Sequence, residues 1–289
     1  MANKVKYNLG FNSAIIDSKT KDQLCLADAK SAEIIKPILR GRDIGRYSTN
    51  WAGLWVIFIP WHFPLHKDTK IFGSSIDAEK AFEKDYPVIY KNLLNYKKEL
   101  LNRNKAETGI RYEWYSLQRC AATYYEDFAK NKVIYGQFRQ GEFTFEDKEV
   151  YLSSNEYMII SQNKEINLKY IIAILNSKIN KFYSSLTMNS LGSAATIAQK
   201  SIFEQLPIPQ ISAQEQEQFV ALACDMLNLH QQIAKISDDF LTYLKAKTGN
   251  PQKLNSKILN WHCLDDDGTV ASLICFNFLL VLRRNFGYF

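Results

Sequence analysis

Short apolar runs and helical spacings divide this chain into stretches of different character. Leu54-Trp-Val-Ile-Phe-Ile-Pro60 is apolar without a break and is bounded by Gly53 and Pro60. Its length and aromatic content predict a buried strand. Ala14-Ile15-Ile16 is a shorter apolar run after the turn at Leu9–Asn12. Lys132–Gln137 reads as a strand ending in Gly136, and Val150–Leu152 and Tyr157–Ile160 read as two more with short loops between them. Helical spacing interrupts this pattern. Asp77–Leu101 predicts two helical pieces broken at Pro87, and in the second piece Ile89, Leu93, Tyr96 and Leu100 share one face. Ile171, Ile172, Leu175, Ile179 and Phe182 repeat at helical spacing and predict one helix from Leu168 to Tyr183.

A different period begins after Pro209. Ser212-Ala-Gln-Glu215 has the form of a capping box and predicts the start of a helix that runs to about Lys247. Phe219, Met226, Ile233 and Phe240 recur every seven residues, and Leu222, Leu229, Ile236 and Tyr243 fill the second position. A sustained heptad of this kind marks a helix that packs lengthwise on another, so Phe219, Leu222, Met226, Leu229, Ile233, Ile236 and Phe240 are the expected partner contacts. At 1.5 Å per residue the helix reaches roughly 50 Å. Lys257–His262 reads as a short second helix. Ala271–Leu282 is too short to span a membrane and too apolar for an exposed tail. The expected architecture is therefore a mixed α/β (α+β) domain over 1–210, a long coiled-coil-like helical spacer with its second helix over 211–262, and a tail of unclear structure over 263–289.

Composition narrows the function classes only slightly. The formal charge is +6 over 289 residues, which permits a polyanionic partner without requiring one. The long helix is mildly acidic, so the basic excess lies in the preceding domain. The five cysteines are odd in number and widely spaced, which predicts free thiols in a reducing compartment. No apolar signal region opens the sequence, and the expected location is cytoplasmic with no membrane partner. His62 and His66 flank Phe63-Pro64-Leu65, where proline argues against a shared helical face, so no metal site is assigned.

Candidate chemistry concentrates in the stretch from Ser31 to Tyr47. Ser31 is placed to cap a short turn, Pro37 ends helical geometry at Lys36, and Ile38-Leu39 enter an extended segment. Arg40, Arg42 and Arg46 then surround Asp43. Guanidiniums offer planar forked donors that suit phosphate oxygens or the guanine edge. The alternative is a surface turn in which Asp43 pairs with one arginine. Gln137, Arg139 and Gln140 sit beside Gly141 in a polar loop, with side chains of the types that read guanine and adenine edges. Lys97, Lys98, Arg103 and Lys200 are phosphate candidates, against the alternative of a solvated basic helix. Asn189, Ser190, Gly192 and Ser193 form a small polar loop able to approach another backbone closely.

Ile35-Lys-Pro-Ile-Leu-Arg-Gly-Arg-Asp-Ile-Gly-Arg-Tyr47 resembles the opening motif of the TaqI-like C-terminal specificity domain of type IIG restriction–modification enzymes. The resemblance continues through Leu54–Pro60, Tyr86-Pro-Val-Ile89, the Leu93–Arg103 helix, Trp114-Tyr-Ser-Leu117 and Lys132-Val-Ile-Tyr135. It ends at Leu206-Pro-Ile-Pro209, which also resembles the close of type I specificity domains, where a small-residue loop lies next to DNA. The resemblance implies a module that binds duplex DNA and directs an adenine-N6 methyltransferase and endonuclease, in a linked domain or a separate subunit, to a short sequence. S-adenosylmethionine and Mg are then expected only in that catalytic part, and no cofactor in this chain. The seven prolines are never doubled, so no Asn-Pro-Pro-aromatic motif occurs, and no glycine cluster follows an early strand. No catalytic residue is assigned. Two other classes stay open: a fragment with its own nuclease or transferase activity, and a helical protein-interaction module with no DNA role. Homodimerisation through the long helix is also open.

Overall fold

The computed structural model describes residues 14–118, 125–136, 142–153, 156–163, 165–189 and 206–248. The first sheet has four strands in the order β1 (Ile15–Asp17), β5 (Leu54–Ile57), β2 (Ile35–Leu39) and β8 (Tyr151–Leu152). β5 pairs antiparallel with β1 and β2, while β2 and β8 run parallel through Ile38↔Tyr151 and Leu39↔Leu152. Pro37 has no N–H to give and lies outside the β8 register. The second sheet is antiparallel, with β6 (Lys132–Gly136) between β7 (Phe143–Glu146) and β9 (Glu156–Ile159). A short hairpin, β3 (Ile44–Gly45) and β4 (Ser48–Thr49), forms a ladder of its own and packs on β6 and β7.

The unbroken apolar run around β5 has a direct cause. Val56 and Phe58 enter one core, with Ile38, Leu39, Ile134, Tyr151 and Met158. Ile57 and Ile59 enter another, with Ile35, Phe82, Tyr86, Ile89 and Tyr115. Successive strand side chains point to opposite faces, so a strand with a core on each side must be apolar at every position.

Helices cover the second core. After β1 comes α1 (Ser18–Ala27), capped by Asp17. A 3₁₀ turn, Ala29–Glu33, is capped by the Asp28 side chain. Asp28, not Ser31, therefore supplies the cap; Ser31 is buried with an unpaired hydroxyl. The break at Pro87 falls where expected: α2 (Ile76–Asp85) is capped by Ser75, and Pro87 opens α3 (Pro87–Leu94), where its missing N–H costs nothing. α4 (Lys97–Leu101) is a third piece, set off at Tyr96, whose φ of −115° leaves helical geometry.

The helix expected over 168–183 is two helices, α5 (Leu168–Leu175) and α6 (Lys178–Asn189). The break lies at Asn176, whose side-chain amide donates to the Phe143 carbonyl at 2.8 Å and accepts from its N–H at 3.1 Å. Ile179 and Phe182 consequently leave the buried face and are 83% and 65% exposed.

α7 (Ala213–Thr248) is continuous and opens with the expected capping box: Ser212 N–H donates to Glu215 and Glu215 N–H to the Ser212 hydroxyl. The chain forms two compact units, Met1–Asp225 and Met226–Phe289, and α7 contributes to both. Its first turns pack on α5. Gln216 is buried and bonds the Asn167 N–H and the Glu165 carbonyl, and Phe219 meets Tyr170 edge to face. In the second unit, Ile236, Leu241 and Leu244 pack on Phe240. Leu222, Leu229 and Ile233 of the heptad are exposed. Among the described residues no helix is long and apolar enough to cross a membrane.

Candidate nucleic-acid interface

β2 leads into a 3₁₀ turn, Gly41–Asp43, built around one buried carboxylate. Asp43 accepts from the Arg40 N–H and Nε at 2.9 Å each and from Arg40 Nη2 at 2.8 Å. Its own carbonyl accepts from Asn50 N–H at 2.7 Å, closing the segment that contains the hairpin. Asp43 is 3% exposed, and a buried carboxylate so placed is tolerated because a guanidinium pairs with it and both oxygens accept hydrogen bonds. The Asp43 hydrogen bonds raise the Arg40 pKa against the cost of burial, with Glu156 adding to the effect. Asp43 pairs with one arginine of this stretch. Arg40 is that arginine, and its fork is committed inside the turn.

The turn rests on the second sheet by close backbone approach. A Cβ on Gly41 would meet Glu156 Oε1 at 2.9 Å, and one on Gly136 would meet Gly41 Cα at 3.5 Å. A Cβ at 41 would have to displace the Glu156 carboxylate, so glycine suits the position by contact rather than by a special dihedral. Glu156 is buried and accepts from the Ser153 hydroxyl.

The hairpin turns at Arg46-Tyr47. Tyr47 has φ +57°, is buried, and donates its N–H to the Phe143 carbonyl at 3.0 Å. Arg46 is exposed; its Nη2 donates to the Asn176 carbonyl at 2.6 Å and its guanidinium lies 5.5 Å from the Tyr47 ring centroid. Arg42 is exposed, with no hydrogen bond or ion pair among the described residues. Gln137, Arg139 and Gln140 lie outside the described residues. The residues on either side of them are the ones that hold the turn: Gly136 packs on Gly41, and Phe143 accepts from Tyr47. The structure thus roots two sequence-predicted segments at one place.

The basic helix divides by role. Arg103, expected on phosphate, instead donates to the carbonyls of Leu100, Trp114 and Ser116 at 2.8–3.0 Å, and burial lowers its pKa. It ties α4 to the segment that follows. Lys97 pairs with Glu79 at 3.3 Å and lies over the Trp114 ring. Burial would raise the Glu79 pKa, but hydrogen bonds from Trp114 and Tyr90 and the Lys97 charge lower it overall. Lys98 is exposed, and its ammonium has no partner among the described residues. Asn189 is the last residue of α6; Ser190, Gly192, Ser193 and Lys200 lie outside the described residues.

His62 bonds the buried Glu113 through Nδ1 at 3.0 Å, and among the described residues no three His, Cys, Asp or Glu side chains gather as metal ligands. A cleft of about 750 Å³ lined by Lys130, Asp147, Asn163 and Lys169 contains none of the predicted residues. The supports of the turn, Asn176, Glu156 and Ser153, were not singled out in the sequence. The one signal was Asn176 itself, a polar residue interrupting apolar helical spacing.

The family model of the TaqI-like C-terminal specificity domain matches residues 36–208. A second model, described only as a domain of unknown function, matches residues 212–274. No curated protein matches. Among solved structures, the type IIL restriction-modification enzyme MmeI in complex with DNA is similar with a TM-score of 0.49 and 13% identity, over 94% of this chain and 31% of that one. The type IIG restriction endonuclease BpuSI is similar with a TM-score of 0.42 and 13% identity, over 77% of this chain and 25% of that one. This chain spans less than a third of either enzyme, and likeness at that level places no residue or contact.

Proposed function

Because this chain belongs to the family of TaqI-like C-terminal specificity domains, we propose that it selects a short sequence in duplex DNA for a restriction–modification system. The observation that carries the reading is the Asp43-locked turn. Arg40 fixes its shape, while Arg42 and Arg46 face solvent beside the roots of the 137–141 loop. The locked backbone is ordered before a base edge is read, so only the arginine side chains lose freedom on binding. Lys98 contributes charge without sequence information. The methyltransferase and endonuclease activities belong to a catalytic part, linked or separate, that acts on an adenine in the selected site. S-adenosylmethionine and magnesium bind there; the glycine loop and Asn-Pro-Pro-aromatic motif that fit the former do not occur in this sequence. The exposed heptad positions of α7 are where that part docks.

The test is selection from a random duplex pool at low salt. Successive rounds should enrich one short motif, and affinity for unselected duplex should fall steeply as salt rises. Failure to bind duplex at low salt removes the reading. Binding without enrichment reduces it to nonspecific affinity.

A further inference from the structure

α6 is inside out. Asn176, Asn180 and Ser184, four residues apart, are all buried, and Asn180 Nδ2 donates to the Leu175 carbonyl at 2.6 Å. The outward positions are apolar: Ile179, Phe182 and Leu186 are 83%, 65% and 60% exposed. Spacings of three and four place these three on one stripe. Lys178 and Lys181 lie along its flank, both exposed and without an ion pair among the described residues. No Asp or Glu occurs anywhere in the helix. Lys178 also stands at the helix N-terminus, where the macrodipole disfavours a cation.

A surface of this make-up is expected to be covered, and its charge narrows what covers it. A second copy or an apolar protein face would account for the stripe but would leave both ammoniums unmatched. Duplex DNA accounts for both, since phosphates pair with lysines while deoxyribose and base edges meet apolar side chains. Position agrees with chemistry. The Asn176 carbonyl, two residues before α6, accepts the Arg46 guanidinium, so the helix begins where the arginine turn ends.

We propose that α6 is a second DNA-contacting element. Its Ile179–Phe182–Leu186 stripe packs on sugars and base edges, and Lys178 and Lys181 contact one row of phosphates. This rests on the DNA reading above and adds to it a contact that is half apolar.

The experiment is a salt series of fluorescence anisotropy with the full chain, on random duplex and on the selected site. The double variant Lys178→Ala/Lys181→Ala should lower the slope of log affinity against log salt by about 2 and weaken both duplexes alike. The double variant Ile179→Ser/Phe182→Ser should lose affinity with the slope unchanged, because apolar contacts release no counterions. Both should melt at the wild-type temperature, because the side chains are exposed. If both bind like wild type while Arg42→Ala loses the selected site, α6 is not a DNA element and the DNA reading stands. If the apolar variant instead halves the molar mass with DNA affinity intact, a second copy covers the face and the proposal falls. If the wild-type chain ignores duplex, both readings fall together.

Discussion

At the scale of single residues, charge has two uses in this domain, and the sequence does not separate them. Arg40, Arg42 and Arg46 look alike in the motif, yet only Arg40 is enclosed by Asp43. Lys97, Lys98 and Arg103 look alike in the sequence, yet Arg103 holds three carbonyls and Lys97 a carboxylate. Residue type identified the candidates; burial and partner geometry, which depend on distant chain, sorted them. Lys132 is the extreme case. It is fully buried at the start of β6 and donates to the carbonyls of Phe128, Lys130 and Lys148 at 2.7–3.1 Å. Burial lowers its pKa from 10.5 to about 8, against the opposing pull of Glu146, Asp147 and Glu149. Between those two values the unfolded chain binds more proton than the folded one, so stability should rise as pH rises through the window. Urea midpoints measured between pH 7.5 and 9, below the range where the buried tyrosines oppose the trend, should climb in the wild type relative to Lys132→Met. A parallel climb in both proteins would place the titration elsewhere.

At the scale of elements, legibility followed the reach of the cause. The β5 strand was readable because two cores make its run apolar at every position. The Pro87 break and the Ser212–Glu215 cap were readable because each is local chemistry. The split of α5 from α6 was not, because it depends on Asn176 pairing with Phe143 of β7, 33 residues away in sequence. The heptad of α7 was readable as a pattern, but its neighbours were not. Gln216 and Phe219 pack within the first unit and Ile236 on Phe240, whereas Leu229 and Ile233 are exposed at 51% and 37%. Leu229→Glu/Ile233→Glu therefore leaves those packed positions intact and should abolish docking of the catalytic part, since charges buried in an apolar seam are costly. Mass measured by light scattering, with and without that part, reads the effect, while duplex affinity should stay unchanged. Loss of duplex affinity with docking preserved would make the stripe part of the recognition surface instead.

At the scale of the whole molecule, the described residues join a two-sheet specificity domain to a long helix, with the arginine turn set where the end of β2 meets the second sheet. This turn is expected to read sequence through Arg42 and Arg46, while Lys98 only adds charge. The measurement that bears on it most directly is anisotropy of Arg42→Ala, Arg46→Ala and Lys98→Ala on the selected site and on random duplex, in parallel. Each arginine variant should lose about 1–3 kcal/mol on the selected site and much less on random duplex, as removal of a base contact does. Lys98→Ala should weaken both duplexes alike. Equal losses on both duplexes for all three variants would contradict the claim and leave the turn a positional contact.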